Sequence, residues 1–223
     1  MARQKERFQW KNQLVNFVAI IIGVYIAYWL TERSEARQLR AQEQQYLKSF
    51  VSDLERDIET LAFQTDTIRY RRRILQHFAN ELTNKINPDS LTQKVMVLYL
   101  FAPFIPHDNT FESLKASGNL GLIQDFDLRQ DIVALYNQYY SAIRLFDQID
   151  LQQRNSMITP YLLKTIGFSF TGDAQHGSYL QDPFFVNMVY TSYYSSSQKI
   201  LYDSMALRHG EMVLKNVKDK IKE

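Results

Sequence analysis

The run from Leu14 to Leu30, LVNFVAIIIGVYIAYWL, contains no charged residue. In a helix rising about 1.5 Å per residue it reaches roughly 25 Å, enough to enter the range that crosses a hydrocarbon core about 30 Å thick. A helix apolar on every side has no face to offer water, so it belongs in a protein core or in lipid. Aromatic placement favours lipid. Trp10 precedes the run, and Tyr25, Tyr28 and Trp29 crowd its far end, where such rings prefer the bilayer interfaces. A cleaved signal peptide would need small residues after the run. Tyr28-Trp29-Leu30-Thr31 is bulky, so the reading is an uncleaved signal anchor.

Flanking charge sets the expected orientation. Arg3, Lys5, Arg7 and Lys11 against Glu6 lie before the run; Arg33, Arg37 and Arg40 against Glu32 and Glu35 lie after it. The more basic side stays in the cytoplasm, which puts the N-terminus inside and the rest of the chain in the periplasm. Ala19, Gly23 and Ala27 recur every four residues, with Asn12 and Asn16 extending the line. Small residues let two spanning helices approach closely and an asparagine amide can bond across the contact, so Asn16, Ala19, Gly23 and Ala27 are the expected transmembrane interface.

Beyond the span, composition narrows the class. Glycine (7) and proline (5) are too scarce for the turns of an all-β fold. The absence of cysteine removes disulfides, thiolate metal sites and cysteine nucleophiles. A net charge of +2 gives no footprint for nucleic acid. Thr31 to Ile86 has neither Pro nor Gly and is rich in helix formers. Leu47, Leu54, Leu61, Ile68, Leu75 and Leu82 fall every seven residues; Val51, Ile58, Thr65, Arg72, Ala79 and Ile86 come four residues after each. With the leucines at d, the first heptads suit a parallel dimer, and Thr65 and Arg72 then weaken the seam. Phe50 and Phe78 widen the apolar face, which favours packing inside a bundle.

Asn87-Pro88-Asp89-Ser90 reads as a stop and restart, with a short helix from Leu91 to Phe101. Pro103 and Pro106 impose an irregular loop. Asn109 to Glu112 has capping-box spacing, and Gly118 is the expected left-handed end of the helix after it. Asp125 should cap a long helix to about Ile166, interrupted or kinked at Pro160. Asp182-Pro183 should open a last helix reaching Ile221. The expected fold is all-α: an N-terminal transmembrane helix continuing into a long helix, bundled with two further long helices and two short ones. The expected divisions are 1–13, a cytoplasmic basic end; 14–30, the anchor; 31–86, the long helix; and 87–223, the rest of the bundle.

Thr110-Phe111-Glu112-Ser113-Leu114-Lys115-Ala116-Ser117-Gly118-Asn119-Leu120-Gly121-Leu122-Ile123, followed by Asp127-Leu128-Arg129 and Tyr139-Tyr140, is the most distinctive segment. With an N-terminal span and a charged helix bearing Tyr46-Leu47, it resembles a family of single-span membrane proteins widespread in Bacteroidota-type bacteria. The resemblance implies an inner-membrane protein with a helical periplasmic domain and implies no activity. Physically, Leu114, Leu120, Leu122 and Ile123 would face the core, Gly118 would permit the reversal, and Asn119 would satisfy helix-end carbonyls. Leu114, Ser117, Gly118, Asn119 and Leu122 therefore read as a structural corner, with a small site at Lys115 and Ser117 as the alternative.

Little in the sequence points to catalysis. His77, His107, His176 and His209 make no pair at one-turn spacing, and no nucleophile elbow, phosphate loop or dinucleotide fingerprint occurs. His107, Asp108, Asp173 and His176 are the first suspects for a site assembled in space. Asp53, Glu55, Asp57 and Glu59 read as an exposed helix face. Arg69, Arg71, Arg72 and Arg73 are either a partner patch or a helix face paired with local acids. Tyr and Phe on the last two long helices read mostly as core. The expected protein is not an enzyme, takes no cofactor or metal, and partners with the lipid bilayer and with itself or a larger membrane complex, not with nucleic acid. A ligand-binding or sensory bundle is the alternative, and an anchored enzyme the third.

Overall fold

The computed structural model describes residues 2–84, 86, 90–167, 174, 175 and 177–222, the side chains of 2–9 and 11 excepted. Asn87, Pro88, Asp89, Asp173 and His176 lie outside the described residues. The structure is 89% helical, with no strand among the described residues. The fold is an all-α bundle. The chain divides into two compact units, Met1–Tyr46 and Leu47–Glu223. The division falls inside the region expected as one segment from 31 to 86, because Leu47 is the first buried residue of its helix among those described.

Helix α1, Ala2–Thr83, is unbroken, as expected of a stretch whose only glycine is Gly23 and which holds no proline. In the first unit every described side chain from Asn12 to Ala41 is exposed, including Phe17, Ile20, Ile21 and Val24. A helix of this length and hydropathy is apolar enough to cross a membrane.

In the second unit α1 acquires a buried side. Leu47, Leu54, Leu61, Ile68 and Leu75 are all buried, and Leu82 is partly so. The second buried row is broader than the a positions alone. Val51, Ile58 and Arg72 are only half-buried, while Thr65 and Ala79 of that row are buried, and so are Phe50, Asp57, Arg71 and Phe78, three residues after Leu47, Leu54, Ile68 and Leu75. The helix therefore packs on d throughout and divides its second row between g and a. A face wider than two positions in seven, shared among several helices, is what an intramolecular bundle requires.

Two short helices come next, α2 Leu91–Met96 and α3 Asn109–Ala116. The helix expected to reach Phe101 stops sooner, passing through a 3-10 turn at Val97–Tyr99 into extended Leu100. Arg154 explains the stop: its guanidinium donates to the carbonyls of Leu98 and Leu100, which no longer serve a helix. The expected capping box does not form. Asn109 is already helical, Asp108 holds the capping position, and Glu112 pairs with Lys115 instead.

At the motif corner Gly118 has φ 71°, the left-handed conformation that favours glycine. Ser117, rather than Asn119, takes the helix-end carbonyls, with its hydroxyl donating to Ser113 and Leu114. Leu114 and Ile123 are buried; Leu120 and Leu122 are half-buried, and Ser117, Gly118 and Asn119 are exposed.

Asp125 caps α4, Phe126–Ala134, by accepting from the Leu128 amide. The rod continues through a π turn at Leu135–Tyr139, α5 Tyr140–Gln153, a second π turn at Arg154–Ile158, and α6 Thr159–Thr165. Pro160 cannot donate a backbone hydrogen bond, and the second π turn lies directly before it, so the rod absorbs proline by a change of register. The first π turn sets Tyr136 and Tyr140 together in the core, rings edge-on at 5.2 Å. Helix α7, Pro183–Lys222, starts where Asp182 accepts from the Phe184 amide.

Along α7 the buried face changes chemistry twice. Phe185, Met188 and Val189 are apolar; Ser192, Ser196, Lys199 and Asp203 are polar; Ala206, Gly210, Val213 and Val217 are again small or apolar. Phe185 joins a core of Leu75, Phe78, Leu98, Leu162 and Tyr179. Beyond the polar stretch, Tyr136 stacks on Phe111 at 4.5 Å and packs against Phe50. The middle of the bundle is ionic.

Candidate functional site

The ionic middle is assembled from three long elements. Arg71 comes from α1, Asp147 and Asp150 from α5, Arg154 from the π turn after α5, and Lys199 and Asp203 from α7. All are at least nine-tenths buried. Their local spacing follows from helix geometry: Lys199 and Asp203, like Asp150 and Arg154, lie four apart on one face. Their pairing across elements depends on the fold.

Two ion groups result. Arg71 Nη1 donates to both oxygens of Asp150, at 3.1 and 3.0 Å, and Arg154 Nη2 adds a third bond at 3.0 Å. Lys199 Nζ lies 2.7 Å from Asp147 and 3.3 Å from Asp203. Burial opposes ionisation in both groups. It pushes the Asp203 carboxyl up to about 6, against the pull of Lys199. Burial likewise raises Asp147 and lowers Arg154, although opposite charges stand beside both.

These ions also hold a strap, the irregular segment from Leu100 to Asp108. Pro103 and Pro106 bar it from helical pairing, so its backbone needs other partners. Asp147 accepts from the Phe104 amide at 2.8 Å. Asp57 accepts from both the amide and Nδ1 of His107, at 2.7 and 2.9 Å. Gln64 donates to the Pro103 carbonyl. Burial raises the Asp57 carboxyl in spite of these bonds, and burial together with Asp57 drives the Tyr140 hydroxyl far above the usual phenol range.

The expected sites take different places. Asp57 is wholly buried, correcting its reading as part of an exposed acidic face; its carboxylate is needed by the strap. The arginine cluster is divided by helix geometry. Arg71 points inward to Asp150, Arg72 lies half-buried over the Tyr193 ring, Arg69 pairs with Asp66 on the surface, and Arg73 is exposed. Arg71 is thus not part of a surface patch. His107 is tied to Asp57, and His209 stacks on Tyr139 at 4.3 Å. No group of three or more metal-ligating side chains is gathered among the described residues. Asn16, Ala19, Gly23 and Ala27 are exposed, and a Cβ on Gly23 would meet nothing within 4 Å.

Sequence reasoning passed over Asp147, Asp150, Arg154, Lys199 and Asp203. A usable signal existed: Asp147 and Asp150 share the face of Tyr140 and Ile143, and Lys199 and Asp203 that of Phe185, Val189, Ala206 and Val213. A scan against protein-family models finds no match, and neither the curated proteins nor the solved structures contain a significant one.

Proposed function

We propose that this chain is a membrane-tethered helical interaction module. Leu14–Leu30 anchors it in the inner membrane, the N-terminus faces the cytoplasm, and the bundle stands in the periplasm. It oligomerises or acts as an accessory subunit of a larger envelope complex. One observation carries the reading. The described side chains of the apolar run are exposed on every side of a continuous helix, while the same helix is sided from Leu47 onward. Water does not tolerate such a surface, and lipid does. The Asn16, Ala19, Gly23 and Ala27 face offers a helix–helix contact inside the bilayer.

The lack of native cysteine makes the test clean. Ala2→Cys and Lys222→Cys variants in intact cells are treated with a membrane-impermeant maleimide. Labelling of Lys222→Cys alone supports the reading. Labelling of Ala2→Cys alone reverses the orientation, and a chain recovered in the soluble fraction after ultracentrifugation ends the tether. Cross-linking in mild detergent then tests association: monomer with no co-purifying protein removes the interaction role. A ligand-binding bundle is the second reading, favoured by a cavity beside the ionic layer.

A further inference from the structure

Helix α7 turns a single row of side chains outward. Between Thr191 and Arg208 the exposed positions are Thr191, Tyr194, Gln198, Leu201, Met205 and Arg208, alternately three and four residues apart. That spacing makes a straight seam along a helix, the geometry of packing against one further helix. The seam is uncharged until its last member. From Pro183 to Leu207 the only charged side chains are Lys199 and Asp203, and both are buried in the ionic layer. The outer side of α1 is the reverse over a shorter stretch: Glu55, Arg56, Glu59, Asp66, Arg69 and Arg73 are all exposed. On the α7 seam Tyr194 is 68% and Leu201 50% exposed, large apolar side chains that this chain leaves uncovered. Beside them, between α5 and α7, lies a hollow of about 220 Å³. Thr191, Tyr194, Ser195 and Gln198 form its α7 side, the four-residue hole that receives one knob from a facing helix. Phe146 and Ile149 add an apolar wall from α5, and the buried Asp150 and Lys199 complete the lining.

We propose that this face docks a second copy of the chain, α7 against α7 in parallel, with Tyr194 of each copy seated in the hollow of the other. Charge selects the occupant. In a parallel self-contact every seam residue faces its own twin, so any charge on the seam meets the same charge and repels. A face made for itself must be free of exposed charge, whereas a face made for a different protein gains by carrying charge opposite to its partner's. The α7 seam is free of charge through Met205, and it ends where Arg208 would face Arg208. This contact names the partner in the self-association reading and rests on that reading.

The chain has no cysteine, so single cysteines report contacts without interference. Full-length Thr191→Cys and Leu201→Cys chains are oxidised in membranes, with Arg73→Cys on the exposed side of α1 as the control. Disulfide-linked dimers should form at both α7 positions and not at Arg73→Cys. The two positions lie far enough apart along the helix that antiparallel pairing can join only one of them to its own copy. Adding Gln198→Lys to the Leu201→Cys chain should lower its dimer yield at least about tenfold, because like charges then face each other. Co-expression with a Gln198→Glu chain carrying the same cysteine should restore the yield. The proposal is overturned if either α7 position fails to cross-link, or if Arg73→Cys cross-links as readily. It is also overturned if the Gln198→Lys and Gln198→Glu chains each cross-link alone as well as together, or if Leu201→Cys captures a different protein in place of the second copy. Should a Gln198 variant not fold, the three cysteine chains decide alone. A chain that is dimeric in mild detergent without these cross-links loses this contact and keeps the self-association reading; a monomer loses both.

Discussion

One helix carries two opposite solutions to the burial of side chains. In α1 from Asn12 to Ala41, apolar residues point in every direction and none is covered. From Leu47 to Thr83 the same helix is sided, with its leucine row buried and charged residues such as Glu55 and Arg56 exposed. Hydrophobic content alone does not separate the two stretches; the angular distribution of that content does. A further contrast lies within the bundle. The inside of a soluble domain is normally where charge is scarce, yet here Arg71, Arg154 and Lys199 stand beside three carboxylates. The exposed run is the more apolar stretch, and the buried middle of the bundle is the more ionic.

The contrast can be broken most severely in the ionic layer. Asp150→Ala leaves the Arg71 and Arg154 guanidinium groups buried without their carboxylate. Loss of one buried partner costs about 3–5 kcal/mol, so the bundle should unfold far more easily in denaturant titration. An unchanged midpoint would mean that the ions are solvated in the protein. Ile22→Arg places a charge near the middle of the apolar run. It should oppose insertion by about 2.5–3.5 kcal/mol, shifting the chain out of the membrane fraction, while the bundle's denaturant midpoint in detergent stays the same.

Asp203 distinguishes the regions by pH. Its folded carboxyl titrates near 6 against an ordinary value of 3.8, so the native state holds this proton more tightly than the unfolded chain. Its contribution to stability is complete below about pH 3.8 and is lost as pH rises through about 6. Lys199, Asp147 and Arg69 are the charges acting on it. Asp203→Asn should flatten the dependence of melting temperature on pH between about 4 and 7; an unaltered slope would assign that dependence to another group. The smallest effect belongs to the corner. Gly118→Ala at φ 71° should cost about 1 kcal/mol in thermal unfolding and leave membrane association unchanged.

Legibility in the sequence tracked the range of the interaction. The Asp125 cap, the Gly118 reversal, the Asp182-Pro183 start and the leucine spacing are local, set by neighbours within a few residues, and each can be read without a fold. The second buried row of α1 was harder. Phe50 and Phe78 belong to it and were visible as a widened face, but Asp57 and Arg71 occupy the same row and looked like surface charge. Their burial depends on His107 and Asp150, fifty and seventy-nine residues away. The early end of α2 is likewise decided by Arg154, well downstream. Distant partners, not propensity, settled those positions.

The strap is a connection held by its main chain. Phe104 and His107 are gripped at their amides and Pro103 at its carbonyl, while the neighbouring Ile105 side chain is 75% exposed. The path is therefore dictated by the residues that do the gripping. At Ile105 the outward surface is open to change of character without rerouting the chain, so the protein can alter what this face presents while its backbone keeps one course.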